Sequence, residues 1–248
     1  MIIKDFIQLI NDVKYKYNNI HDIVLFYEDC KNIIKYIPDN TIDLFFTDPP
    51  YKLCQGGMTS KLSKKNHKGL IFNCNNKNSK NGNGGFFFNE IKFKDWLGEV
   101  YRVLKDRSHC YIMVNDRNLN ELINEALKVG FKLLNILVWK KNNSNPNHWY
   151  MKNCEFIIMF RKGGAKYINN QGTKQILEID NVKNKIHPSQ KPIELIEIFI
   201  ENSSKENDIV LDLFIGEGST IRACKKLKRK CIGVDVDIKW YELASKYV

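Results

Sequence analysis

The chain has 248 residues, 43% of them hydrophobic, enough for one full α/β core and incompatible with a wholly disordered chain. Lys and Arg number 39 against 28 Asp and Glu, and this surplus of +11 points to a polyanionic partner, most simply nucleic acid. No apolar run reaches membrane-spanning length, Met1-Ile2-Ile3-Lys4-Asp5 lacks the order of a signal peptide, and the 7 cysteines contain no C-x-x-C pair. The chain therefore reads as cytoplasmic, with reduced thiols and no membrane partner.

Ile3, Phe6, Ile7, Ile10, Val13 and Tyr17 recur at helical spacing, so a leading amphipathic helix is expected over 3–17. Strands and helices then alternate. Strands are expected at 23–27, 42–47, 109–114, 131–139, 155–160, 209–214 and 231–236. Helices are expected at 30–37, 91–104, 119–129, 193–201, 219–227 and 238–247. That alternation indicates a mainly parallel, doubly wound sheet in a single domain over 1–248. Two stretches interrupt it. Residues 52–89 carry lysines and no Asp or Glu, and 161–186, the later part of a second insertion over 140–186, shows weak periodicity. Both read either as solvated loops or as contact segments for the polyanion.

Asp48-Pro49-Pro50-Tyr51 directly follows the apolar strand 42–47. Two prolines cannot continue a sheet, and each restricts the residue before it, so the chain leaves in one rigid, extended shape. That shape aims the Asp48 carboxylate and the Pro49 carbonyl at one point, while Tyr51 offers a flat face for a ring. Four specified residues in a row arise by chance in about one chain of this length per thousand, so a plain strand-ending turn is the weaker reading.

Asp212-Leu213-Phe214-Ile215-Gly216-Glu217-Gly218-Ser219-Thr220 ends a buried strand in a glycine turn, where Ser219 or Thr220 can cap the next helix. Gly216 and Gly218 allow a ligand close to the backbone. Asp235, about twenty residues on and followed by Val236, stands where an acid holds ribose hydroxyls. Position 221 is Ile rather than a third glycine, so the pattern fits a nucleoside cofactor without indicating NAD. His187-Pro188-Ser189-Gln190-Lys191-Pro192 gathers donors ahead of the helix 193–201. The plainer reading is a helix start with Pro192 in its first turn.

Together these three motifs resemble the β-class DNA amino-methyltransferases that use S-adenosylmethionine, in which the catalytic D/S/N-P-P-Y/F/W precedes H-P-x-Q/E-K-P and D-x-F-x-G-x-G. The likeness spans about residues 22–247. It implies a permuted, Rossmann-like class I methyltransferase with a seven-stranded, mostly parallel sheet, one antiparallel strand and helices on both faces. It assigns catalysis to Asp48, Pro49, Pro50 and Tyr51. Cofactor binding falls to Asp29, Cys30, Asp48, His187, Pro188, Ser189, Gln190, Lys191, Pro192, Asp212, Phe214, Gly216, Gly218, Ser219, Thr220, Asp235 and Val236. Asp29 fits equally a helix N-cap. The family pattern has Pro at 213 and a small residue at 217. Here Leu213 and Glu217 stand, and the Glu217 carboxylate either helps hold the cofactor's cation or points to solvent.

The resemblance further implies transfer to N6 of a flipped-out adenine in double-stranded DNA, since Asp rather than Ser opens the catalytic motif. N4 of cytosine, or a non-catalytic DNA-binding subunit on the same fold, are the alternatives. Lys61, Lys64, Lys65 and Lys68 are candidates for phosphate contacts. Lys140, Lys141, Asn142, Asn145, Asn147, His148 and Trp149 fit base reading and stacking, or else a hairpin loop. Cys54, His67 and Cys74 lack zinc-ligand spacing, so no metal is expected. A homodimer and a cognate restriction enzyme are open as partners.

Overall fold

Apolar strands joined by amphipathic helices set the architecture. The structure, a computed structural model, describes residues 3–7, 10, 13–18, 20–50, 91–145, 149–184, 186 and 190–248. The chain runs α1 (Ile3–Ile7), β1 (Lys14–Asn18), β2 (Ile23–Tyr27), α2 (Cys30–Ile34), β3 (Ile42–Thr47), α3 (Leu97–Val103), β4 (Leu104–Val114) and α4 (Leu119–Lys128). It continues through β5 (Lys132–Asn145), β6 (Lys152–Arg161), β7 (Ile176–Glu178), α5 (Ile193–Ser203), β8 (Ile209–Asp212), α6 (Ser219–Lys226), β9 (Lys230–Asp235) and α7 (Ile238–Ala244). Among the described residues no helix is long and apolar enough to cross a membrane.

The strands form one sheet in the order β1-β2-β9-β8-β3-β4-β6-β5-β7. β2, β9, β8, β3 and β4 run parallel, and β6 is antiparallel to both its neighbours. The strand period of two divides the side chains between two cores. Val24, Phe26, Phe45, Cys110, Ile112 and Leu211 join residues of α1 to α4 on one face. Ile23, Leu25, Leu44, Phe46, Tyr111 and Val210 join residues of α5, α6 and α7 on the other. The connection from β3 leads toward β4 and that from β8 toward β9, in opposite directions. Right-handed crossovers then require the intervening helices to lie on opposite faces, as α3 and α6 do.

Seven strands correspond to the expected sheet, and two more extend its edges. Residues 3–17 do not form one helix: α1 ends at Ile7, and β1 pairs antiparallel with β2, Lys14 opposite Tyr27. The pattern was ambiguous because Val13, Tyr15 and Tyr17 share a face at period two just as Val13 and Tyr17 do at period four. β7, three residues long, adds a parallel edge to β5. The first part of the 140–186 stretch belongs to the sheet, because β5 continues to Asn145 and β6, expected from 155, begins at Lys152. Trp139 is buried beneath this hairpin and donates its indole N–H to the Ile179 carbonyl at 2.8 Å.

A buried polar cluster fastens the far end of α5 to the sheet. His109 on β4 lies 2.8 Å through Nδ1 from the Ser203 hydroxyl and 3.1 Å through Nε2 from the Lys166 carbonyl. A proton on Nε2 donated to Lys166 satisfies both contacts, so the neutral ring fits its site. Burial pushes the His109 pKa down to about 4 from 6.5. The unfolded chain takes up this proton below pH 6.5 but the native chain only near pH 4. The stability is therefore full above pH 6.5 and lost as pH falls toward 4, by up to about 3 kcal/mol. The buried carboxylates Asp212 and Asp235, with raised pKa values, titrate with the opposite sign. The difference between variant and wild type therefore isolates the imidazole. In urea unfolding at pH 7.5 and pH 4.5, His109→Gln should lose less stability between the two conditions than wild type. Equal losses would contradict a neutral, buried imidazole.

Candidate active site at the carboxyl edge of the sheet

Five parallel strands bring their carboxyl ends to one edge, and the reversal between β3 and β8 opens a crevice there. Four aspartates stand along it: Asp29 after β2, Asp235 at the end of β9, Asp212 at the end of β8 and Asp48 after β3.

Asp212 ties the crevice together. Its Oδ1 accepts from the Thr47 hydroxyl at 2.6 Å and the Phe214 N–H at 3.1 Å, and its Oδ2 accepts from the Thr220 hydroxyl at 2.6 Å. The last residue of β3 and the first turn of α6 are thereby joined to one carboxylate. Burial raises the Asp212 pKa to about 6 against the lowering effect of these donors. Thr220 is thus occupied with Asp212 and caps nothing. The N-cap of α6 is Gly218, without a side-chain cap, and the Ser219 hydroxyl faces the Lys191 carbonyl at 3.1 Å.

The two glycines of the turn play different parts. Both are left-handed, with φ of 54° at Gly216 and 90° at Gly218. A Cβ on Gly216 would meet nothing within 4 Å, leaving space for a ligand. A Cβ on Gly218 would come within 3.1 Å of the Ala244 Cβ, so this glycine is required by the packing of α6 against α7. Asp235 accepts from the Gly216 N–H at 2.9 Å and the Asp237 N–H at 2.8 Å, one on each oxygen. A carboxylate offers about four acceptor positions, so two are left for hydroxyls. Burial raises its pKa to about 7, with the neighbouring acids adding to the rise.

Asp29 is the N-cap of α2, its Oδ1 accepting from the Lys31 N–H at 2.9 Å, while Oδ2 lies 3.5 Å from the Lys31 ammonium. Cys30 does not join it at the site. Its side chain is in the core with Ile33 and Ile34, and burial pushes the thiol up to about 12. Phe214 is half-buried, edge-on to Trp96 at 5.6 Å, and Val236 is exposed beyond β9. Glu217 neither faces solvent nor waits for a cation. It is 3% exposed, pairs with the Arg222 guanidinium at 2.6 Å and contacts the Ser219 hydroxyl.

At Asp48 the chain leaves β3 as expected, with Pro49 buried and Pro50 exposed. Asp48 Oδ2 accepts from the Lys191 ammonium at 2.5 Å, and Oδ1 is buried with no hydrogen-bond partner among the described residues. An unpartnered buried carboxylate oxygen is costly and marks a place for an incoming donor. Burial drives the Asp48 pKa up, opposed by Lys191. Lys191 also lies 3.3 Å from Glu155 Oε2 at the start of β6, and Glu155 is paired in turn with Lys141 of β5. Glu155 escaped the sequence reading, although it is the one acid in the apolar run 155–160. Gln190 is buried and accepts from the Ile186 N–H at 3.0 Å, and Pro192 is the N-cap of α5.

The expected nucleic-acid residues divide. Lys141 points inward to Glu155 over the Trp139 ring instead of outward to a base edge. Lys140 pairs with Glu178 at 2.8 Å on the surface, and Asn142 accepts from the Asn181 side-chain amide at 3.1 Å. Asn145 closes β5 opposite Lys152, and Trp149 is 86% exposed. Tyr51, Lys61, Lys64, Lys65, Lys68, Asn147, His148, His187, Pro188 and Ser189 lie outside the described residues.

The model of the N6/N4 DNA methylase family matches residues 42–246. A curated relative, type II methyltransferase M2.MboI of Moraxella bovis, is 30% identical over 240 residues, covering 88% of this chain and 84% of the relative. Type II methyltransferase M2.DpnII of Streptococcus pneumoniae is 28% identical, with 93% and 91% covered. Among solved structures, the M1.HpyAVI–SAM complex superposes with a TM-score of 0.67 at 24% identity over 90% of this chain and 98% of that one. The cytosine-N4-specific PvuII DNA methyltransferase gives 0.68 at 17% identity, with 91% and 86% covered. The chain belongs to the N6/N4 DNA methylase family.

The residues present fit a nucleoside cofactor in this crevice, through the open space at Gly216 and the spare acceptor positions of Asp235. Gly218→Ala should lower unfolding stability by about 1–2 kcal/mol, from left-handed strain plus the clash with Ala244. Gly216→Ala should cost less stability yet weaken cofactor binding in calorimetric titration. A larger drop in melting temperature for Gly216→Ala than for Gly218→Ala would contradict this division.

Proposed function

We propose that this DNA methylase transfers a methyl group to N6 of an adenine extruded from double-stranded DNA. The observation carrying the reading is the divided Asp48 carboxylate, one oxygen fixed by Lys191 and the other buried and unpartnered, beside the Pro49 carbonyl. S-adenosylmethionine is the methyl donor, supplying when bound an electrophilic methyl on a sulfonium. Asp235 would hold the ribose hydroxyls, Asp29 Oδ2 the adenine amino group, and the Gly216 turn the close approach to the backbone. The row of aspartates favours a positively charged donor over its neutral product.

An exocyclic amine is a poor nucleophile because its lone pair is delocalised into the ring. Asp48 Oδ1 and the Pro49 oxygen would accept its two N–H bonds, localise that pair and stabilise the positive charge developing on nitrogen. This is electrostatic stabilisation aimed at the transition state, combined with alignment. Asp48 need only be ionised, since the amine becomes acidic once attack is under way. Asp rather than Ser at position 48 supports adenine over cytosine.

A paired base cannot reach this crevice, so the reaction requires extrusion, which costs a few kcal/mol. Tyr51 would stack on the extruded ring. Exposed Trp149 and Tyr150 at the β5–β6 hairpin, with Asn145, Asn147 and His148, would face the duplex, and the lysines of 52–89 its phosphates. A companion restriction endonuclease fits the type II relatives and belongs to this proposal.

Unmethylated DNA incubated with the protein and labelled S-adenosylmethionine, then digested to nucleosides, should yield N6-methyl-2′-deoxyadenosine. N4-methylcytosine as the labelled product would contradict the adenine assignment. Asp48→Ala should reduce transfer at least ~10³-fold while cofactor affinity stays within a few-fold. Retained transfer would overturn the role of the carboxylate.

A further inference from the structure

We propose that Lys191, itself held by Glu155, is a positioning residue for Asp48, so that the lysine ahead of α5 acts on methyl transfer through the catalytic carboxylate rather than through the cofactor. The inference rests on reading Asp48 as the acceptor of the target amine. Four charged side chains from four places in the fold meet here: Asp48 after β3, Lys191 ahead of α5, Glu155 at the start of β6 and Lys141 on β5. They alternate in sign, Lys191 Nζ lying 2.5 Å from Asp48 Oδ2 and 3.3 Å from Glu155 Oε2, with Lys141 paired to the other side of Glu155. Lys191 is only 8% exposed, and Lys141 is seated over the Trp139 ring at 4.9 Å, so the array is fixed by the walls of the crevice rather than by solvent.

The geometry gives Lys191 two effects. Binding Oδ2 stops rotation of the carboxylate and leaves Oδ1 facing the crevice. Supplying a positive charge lowers the Asp48 pKa against burial, which raises it most, and against the charges of Glu155 and Asp212. Without that charge, a buried carboxylate beside other acids takes up a proton. A protonated Asp48 is a weaker acceptor for the amine. Glu155 holds the Lys191 ammonium in place, and Lys141 balances the charge of Glu155.

The test uses the full chain with unmethylated DNA and S-adenosylmethionine, measuring single-turnover methylation across pH 5–9 and cofactor affinity by calorimetry. Lys191→Met should lower the neutral-pH rate ~10²-fold or more. Its acid limb should move to higher pH, because the active carboxylate now protonates more readily, while cofactor Kd stays within about twofold. Lys191→Arg, which keeps the charge, should recover part of the rate and the wild-type limb. Glu155→Gln should give a smaller loss of rate from the loosened lysine, without the upward shift of the acid limb, because removing the Glu155 charge itself favours ionised Asp48. A weakened cofactor Kd with an unchanged rate at saturating cofactor would overturn the proposal in favour of a cofactor contact. An unshifted acid limb in folded Lys191→Met would overturn it as well, and should that variant not fold, an undiminished single-turnover rate in Glu155→Gln would do so. Asp48→Ala separates the two levels: if it retains transfer, the reading of Asp48 fails first, whereas if it is dead and Lys191→Met is unchanged, only the present inference fails.

Discussion

An ion pair between residues 143 positions apart, Asp48 and Lys191, joins the two sides of the crevice. A pair this close and this buried is not chiefly a source of stability, because desolvating two charges offsets most of their attraction. Its consequence is geometric. A carboxylate has two oxygens, and fixing one gives the other a direction. Glu155 and Lys141 extend the arrangement so that no charge in it lacks a counter-charge. The fold brings the four together because β6 runs against β4, with Phe156 opposite Val114, which places Glu155 at the edge where the parallel strands end.

The same edge collects the acids that a nucleoside cofactor needs. Asp212 is the structural member, with three donors on its carboxylate and Thr47 and Thr220 as its fixed neighbours. Asp235 has acceptor positions to spare, and Asp29 divides its oxygens between a helix cap and the Lys31 ammonium. Burial raises the pKa of both Asp212 and Asp235 against the donors that surround them, and what differs between the two is how many acceptor positions those donors leave open.

Much of this was legible in the sequence. Asp48-Pro49-Pro50 and the Gly216 turn stand out because backbone constraint is written directly in proline and glycine, and the alternation of apolar strands and helices gives the doubly wound sheet. What pairing decides was not legible. β1 was hidden because spacings of two and four coincide on a tyrosine-rich edge, and β7 is too short to carry a pattern. The different duties of Gly216 and Gly218 follow from what lies opposite each, α7 in one case and open space in the other. Glu217 found Arg222 five residues on, and Lys141 turned inward, because only the folded chain shows which charges meet. Several described lysines are spent on carboxylates in this way. The acid-free stretch 52–89 is where the net positive charge is least offset along the chain.

The most direct measurement is a crystal structure of the protein with its cognate DNA and a cofactor analogue that cannot donate its methyl group. The account predicts an extruded adenine whose exocyclic nitrogen lies about 3 Å from both Asp48 Oδ1 and the Pro49 carbonyl oxygen, with Lys191 still on Oδ2. An extruded base whose amine faces other acceptors, with Asp48 Oδ1 left empty, would contradict it.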